Sequence, residues 1–101
     1  MLQNALVRAY RRAKRVFARD YVAFEGFVLP PPHMRYCGSA FRDDTTFLES
    51  GRAEARRLRS DFGLGSDTRM LEIGCGPGRL PIGILAEVGE IARYDGVDID
   101  S

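Results

Sequence analysis

Cysteine, histidine and lysine are nearly missing from this chain, and the first two scarcities close off whole classes of chemistry. Two cysteines, Cys37 and Cys75, are too few and too differently placed for a disulfide framework. Without a C-x-x-C pair or a Cys/His cluster, the sequence offers no metal site. The only histidine, His33, follows Pro30-Pro31-Pro32, where it reads as structural before it reads as a catalytic base. No hydrophobic run approaches the roughly 20 residues of a membrane span, and no signal-peptide pattern opens the chain, so a cytoplasmic location is expected. Internal repeats and low-complexity tracts are lacking too. With 45% hydrophobic and 29% charged residues, the composition is that of a folded domain rather than a disordered one.

Lysine is replaced by arginine throughout: 14 arginines stand against the single Lys14. Arginine codons are mostly GC-rich and lysine codons AT-rich, which suits a bacterium with a GC-rich genome. The charge is also unevenly spread. Residues 1–19 carry six basic side chains and no acid, whereas residues 20–101 carry nine basic against 14 acidic. Leu2, Leu6, Ala9, Tyr10, Ala13, Val16 and Phe17 recur at helical spacing, so this arm is expected to be an amphipathic helix with its arginines on the other side. It can pack against the acidic body, lie on an anionic membrane surface or grip nucleic acid, and no clear nucleic-acid motif favours the last. The aromatic segment 20–41 that follows reads as a packed connector made rigid by its prolines.

Residues 45–62 predict a helix, with Thr46 and Glu49 spaced as a capping box and Gly63 placed to end it. Leu48, Gly51, Ala55, Leu58 and Phe62 trace its packing face, and Glu54 with Arg57 falls on its solvent side. A strand over Arg69 to Ile73 then runs into Glu72-Ile73-Gly74-Cys75-Gly76-Pro77-Gly78 and a helical stretch from Leu80 to Val88. A second apolar run, Tyr94 to Ile99, carries Asp98 near its end. The layout is a βαβ unit with a glycine turn at the tip of one strand and an acid at the tip of the next. A dinucleotide fingerprint needs Gly or Ala at position 79, and Arg79 stands there, placed by its sequence as an exposed first-turn residue.

An acid, one residue and G-x-G-x-G, followed by Gly96-Val97-Asp98-Ile99-Asp100, resembles the first two cofactor motifs of the class I S-adenosylmethionine-dependent methyltransferases. The resemblance covers about residues 69–101 and implies S-adenosyl-L-methionine as cofactor. By that resemblance Asp98 would accept both ribose hydroxyls, Ile99 would lie against the adenine, and Glu72 would face the methionyl ammonium directly or through water. Gly74, Gly76 and Gly78 would let the turn adopt positive φ and approach the ligand, with Cys75 contributing backbone rather than thiol. Asp100 would cap a following helix. Leu29-Pro30-Pro31 and Met34 to Gly38 also look like the segment leading into the cofactor domain of some bacterial methyltransferases, with Arg35 or Tyr36 as contacts.

The expected fold is therefore α/β, Rossmann-like, with only the first βαβ portion present and an α-helical N-terminal region before it. Residues 1–64 form a helical arm and cap, and residues 65–101 the start of the cofactor domain. Two parallel strands do not make a stable sheet, so further sequence or a second copy of the chain is expected to complete it. The apolar faces of the helix (Leu80, Ile84, Leu85, Val88) and of the strands (Met70, Leu71, Val97, Ile99) would otherwise stay partly bare. Methyl transfer to an unidentified acceptor is the implied activity, with a small-molecule substrate expected as partner and no catalytic residue or metal ligand assigned. The alternatives are a nicotinamide or flavin oxidoreductase fragment and a non-catalytic cofactor-binding or interaction module.

Overall fold

The computed structural model describes residues 21–36 and 38–98. The basic arm, Cys37, Ile99 and Asp100, each given a role above, lie outside them. No helix among the described residues is long and apolar enough to cross a membrane.

The segment expected to be connector and cap begins with a β-hairpin. Strand β1 (Val22–Phe24) pairs antiparallel with β2 (Phe27–Leu29) across a Glu25-Gly26 turn in which both residues take positive φ, 49° and 84°. Aromatic and β-branched residues flanking a two-residue turn with glycine are what a hairpin asks for. The helical N-terminal region expected over 1–64 is thus, from residue 21 to 43, a hairpin and two 3-10 turns, Pro32–Met34 and Ser39–Arg42. Val22, Phe24, Phe27 and Phe41 pack around a buried cluster of Leu29, Phe47, Leu48 and Ile82.

Helix α1 (Asp44–Phe62) is capped by Asp43, whose carboxylate accepts from the Thr46 N–H at 2.9 Å, and not by Thr46 itself. The cap moved three residues upstream because an aspartate there offers a charged acceptor, and Thr46 serves it twice, through N–H and hydroxyl. Gly63, at φ 74°, ends the helix. That reversal carries Leu64 into the core and leaves Phe62, expected on the packing face, 76% exposed.

Strand β3 (Arg69–Ile73), helix α2 (Arg79–Glu87) and strand β4 (Arg93–Val97) form a parallel β-α-β unit, with Glu72 opposite Gly96 and Ile73 opposite Val97. Helices α1 and α2 cross where Gly51 meets Gly83, so closely that a Cβ on either would run into the other helix's backbone. Ala55, Leu64, Leu80, Ile84, Ile91 and Tyr94 fill the core between this helix pair and the sheet. On the α2 face expected to be partly bare, Leu80 and Ile84 are buried, while Leu85 and Val88 are only partly covered. The bare surface is the far side of the sheet, where Leu71, Ile73 and Val97 are 65%, 81% and 50% exposed.

Candidate ligand site at the glycine turn

The turn between β3 and α2 is built from glycines in the left-handed region: Gly74, Gly76 and Gly78 have φ of 77°, 53° and 92°. This is the conformation for which glycine carries no steric cost. The turn's amides are used within the protein. Gly74 and Cys75 both donate to the Val97 carbonyl, at 2.7 and 3.2 Å, and Gly78 donates to the Cys75 carbonyl. Gly76 donates to the Asp98 carboxylate at 2.6 Å. Since Pro77 has no N–H, no amide from 74 to 78 is left to cradle an anion.

Two acids flank this turn. Asp98, just past the end of β4, sits on Gly76. Glu72, the penultimate residue of β3, is half-buried on the helix side of the sheet and accepts a 2.6 Å hydrogen bond from the Tyr94 hydroxyl. Burial pushes the Glu72 carboxyl above its ordinary value; the Tyr94 hydrogen bond opposes that shift. No arginine of the described residues pairs with Glu72. Cys75 lies beneath the turn with its Sγ over Gly96, and burial followed by the charge of Glu72 raises its thiol. The raised thiol is held in its protonated, less nucleophilic form.

Between the turn and the N-terminal segment lies a cavity of about 70 Å³, lined by Glu72, Gly74 to Pro77, Arg79 and Leu80 on one side and by Arg35, Tyr36, Phe41 and Phe47 on the other. The two arginines in this lining are already engaged. Arg35 is buried, donating to the carbonyls of Pro30, Phe41 and Arg42 and pairing with Asp44 at 2.9 Å, with its guanidinium 4.8 Å from the Phe47 ring centroid. It is the clamp that folds the 30–44 segment, not a free ligand contact. Arg79 is turned back onto α1, 2.6 Å from Glu54, and lies over Phe41. Glu54, placed by its sequence on the solvent side, instead ties the two helices together. Tyr36, 62% exposed, stands at the cavity mouth.

The site residues named from sequence are thus gathered around one turn: Glu72, Gly74, Cys75 and Gly76 line the cavity, Gly78 caps α2 and Asp98 stands behind Gly76. Ile99 lies outside the described residues. Tyr94 and Phe41 carried no sequence signal of a site; the alternation of Tyr94 and Gly96 on one strand face, with Glu72 facing that glycine, is where Tyr94 becomes visible. Among the described residues, no three His, Cys, Asp or Glu side chains gather to hold a metal ion. Neither a scan against protein-family models nor searches of curated proteins and of solved structures give a match to this chain.

Proposed function

We propose that this chain is the cofactor-binding part of an S-adenosylmethionine-dependent methyltransferase with a Rossmann-like α/β fold, acting on a small-molecule acceptor. The observation that carries the reading is electrostatic. The Gly76 amide, which a dinucleotide would need for its pyrophosphate, is occupied by the Asp98 carboxylate, and Glu72 places a second carboxylate on the same turn. A phosphate there would meet two negative charges and no unspent amide. A ligand bearing an ammonium, a sulfonium and hydroxyls would meet complementary acceptors. The pair of acceptors therefore suits S-adenosylmethionine better than NAD or FAD.

In this reading Glu72 accepts from the ligand's ammonium and Asp98 from its ribose hydroxyls, while Tyr36 and Phe41 supply an apolar wall. The cavity of about 70 Å³ has room for a few water-sized groups, the scale of an amino-acid end rather than a nucleoside. The cofactor supplies an electrophilic methyl group whose bonding electrons leave with sulfur. The protein's part is alignment of that carbon with the acceptor. The uncovered sheet face of Leu71, Ile73 and Val97 supports completion of the fold by further sequence or a second copy.

Calorimetry with S-adenosylhomocysteine and NAD tests the proposal. Binding of the former and none of the latter is expected; tighter binding of NAD overturns it. Asp98→Ala should cost about 2–4 kcal/mol of S-adenosylhomocysteine affinity. Asp100→Ala should cost much less.

A further inference from the structure

Tyr94 is a polar residue placed where a hydrophobic one would serve the core. It is 3% exposed on β4 and packs with Ala55, Leu80 and Ile84, yet its hydroxyl reaches Glu72 across the strand boundary. The register explains the reach. Tyr94 is opposite Met70 and Gly96 is opposite Glu72, so the phenol runs diagonally along the helix-side face from one pair to the next. Gly96 clears the path: a Cβ there would stand 2.8 Å from the Tyr94 hydroxyl and 3.0 Å from the Cys75 sulfur. The hydroxyl, the missing side chain at 96 and the carboxylate form one built arrangement beneath the glycine turn.

Taking the cofactor reading above as its basis, we propose that Tyr94 is a positioning residue, which fixes the Glu72 carboxylate toward the ammonium group of the ligand's amino-acid end. With Oε1 committed to the phenol, Glu72 meets the cavity in one orientation. The phenol stays protonated and so able to donate to Glu72, because burial and then Glu72, with Cys75 adding to them, push its ionisation far above the physiological range. The groups facing Glu72 are Tyr94 on β4, Arg79 on α2, Glu54 on α1, Asp98 beyond β4 and Cys75 in the turn. Tyr94 and Arg79 favour the carboxylate, while burial, Glu54 and Asp98 disfavour it. Removing the hydroxyl therefore both loosens Glu72 and raises the pH at which it ionises.

The test compares two ligands sharing a nucleoside thioether: S-adenosylhomocysteine, and 5′-methylthioadenosine, which lacks the amino-acid end. In calorimetry on the full chain, Tyr94→Phe should weaken the first by roughly tenfold to a hundredfold, the value of a hydrogen bond to a charged group. It should leave the second within about twofold. The acid limb of S-adenosylhomocysteine binding should move to higher pH. The ligand-free Glu72 carboxyl, followed by carbon NMR, should titrate higher in the same variant. Gly96→Ala, which displaces the hydroxyl while keeping the tyrosine, should reproduce these shifts and serves if Tyr94→Phe does not fold. Equal losses for both ligands, or an unmoved pH limb and Glu72 titration, overturn the positioning role while the cofactor reading stands. Failure of the wild-type chain to bind either nucleoside overturns both.

Discussion

The acids at the seam between the two helices and the acid beneath the glycine turn are treated in opposite ways. At the seam every inward-facing carboxylate meets a guanidinium: Glu87 accepts from Arg52 and Arg56 at 2.7 and 2.8 Å, and Glu54 from Arg79 at 2.6 Å. The Arg52 hydrogen bond, followed by Arg56, holds the Glu87 carboxyl below its ordinary value. Under the turn, Glu72 is half-buried on the sheet's helix-side face, accepts from a neutral tyrosine hydroxyl and no guanidinium of the described residues, and is pushed upward by desolvation. An acid that forms an ion pair within the chain fixes structure; one with a donor but no ion pair is suited to meeting a cation from outside.

The largest effect should come from breaking the seam itself. Gly83→Ala drives a methyl group into the Gly51 backbone, where no flexible side chain can yield, and is expected to cost about 3 kcal/mol or more in urea unfolding. A stable Gly83→Ala protein would show that the helices slide apart freely. Arg35→Ala should follow closely, losing about 3 kcal/mol, because it leaves Asp44 unpaired and the Pro30 and Phe41 carbonyls without their donor. Arg35→Lys should recover little, since an ammonium cannot span that fork of acceptors.

Association probes the other side of the comparison. With Leu71, Ile73 and Val97 exposed beside a β3 edge that pairs with no other strand among the described residues, light scattering of the 101-residue chain should report a species larger than a monomer. Leu71→Ser with Ile73→Ser should shift it toward monomer. A compact wild-type monomer would mean the face is covered within the chain.

The smallest effects are in pH dependence, and their signs oppose. The depressed Glu87 carboxyl contributes stability that is present above its ordinary value of 4.5 and is lost as pH falls through the folded-state value. Glu72 is raised, so its contribution is present below 4.5 and is lost as pH rises through its folded-state value. Glu87→Gln should therefore destabilise the protein at neutral pH by a margin that shrinks on acidification. Glu72→Gln should stabilise it at neutral pH and do nothing in acid. Thermal unfolding across that range checks both, and parallel behaviour of the two variants would erase the distinction drawn here.

Helix α1, strand β3, helix α2 and the glycine turn were legible in the sequence because each is specified locally, by 3.6-residue periodicity, glycines and a terminating Gly63. The nearness of Glu72 and Asp98 was legible for a related reason. A parallel strand–helix–strand unit brings the ends of both strands to the same edge, so acids at corresponding positions must meet. The hairpin was missed because its strands are three residues each and lie among prolines. The Arg35 clamp and the Arg79–Glu54 bridge were missed because sequence spacing carries no information about partners 9 and 25 residues away.

The sequence by itself determined where the chain turns, which helix faces are apolar and that two carboxylates flank a glycine loop. These follow from backbone sterics and side-chain periodicity, which act over a few residues. Only the tertiary structure decided that the loop's amides are already spent, that Gly51 and Gly83 exist to let two helices touch, and that Gly96 exists to let Tyr94 reach Glu72. Each of those depends on the register and distance between elements, and close packing fixes these only when the whole core is assembled.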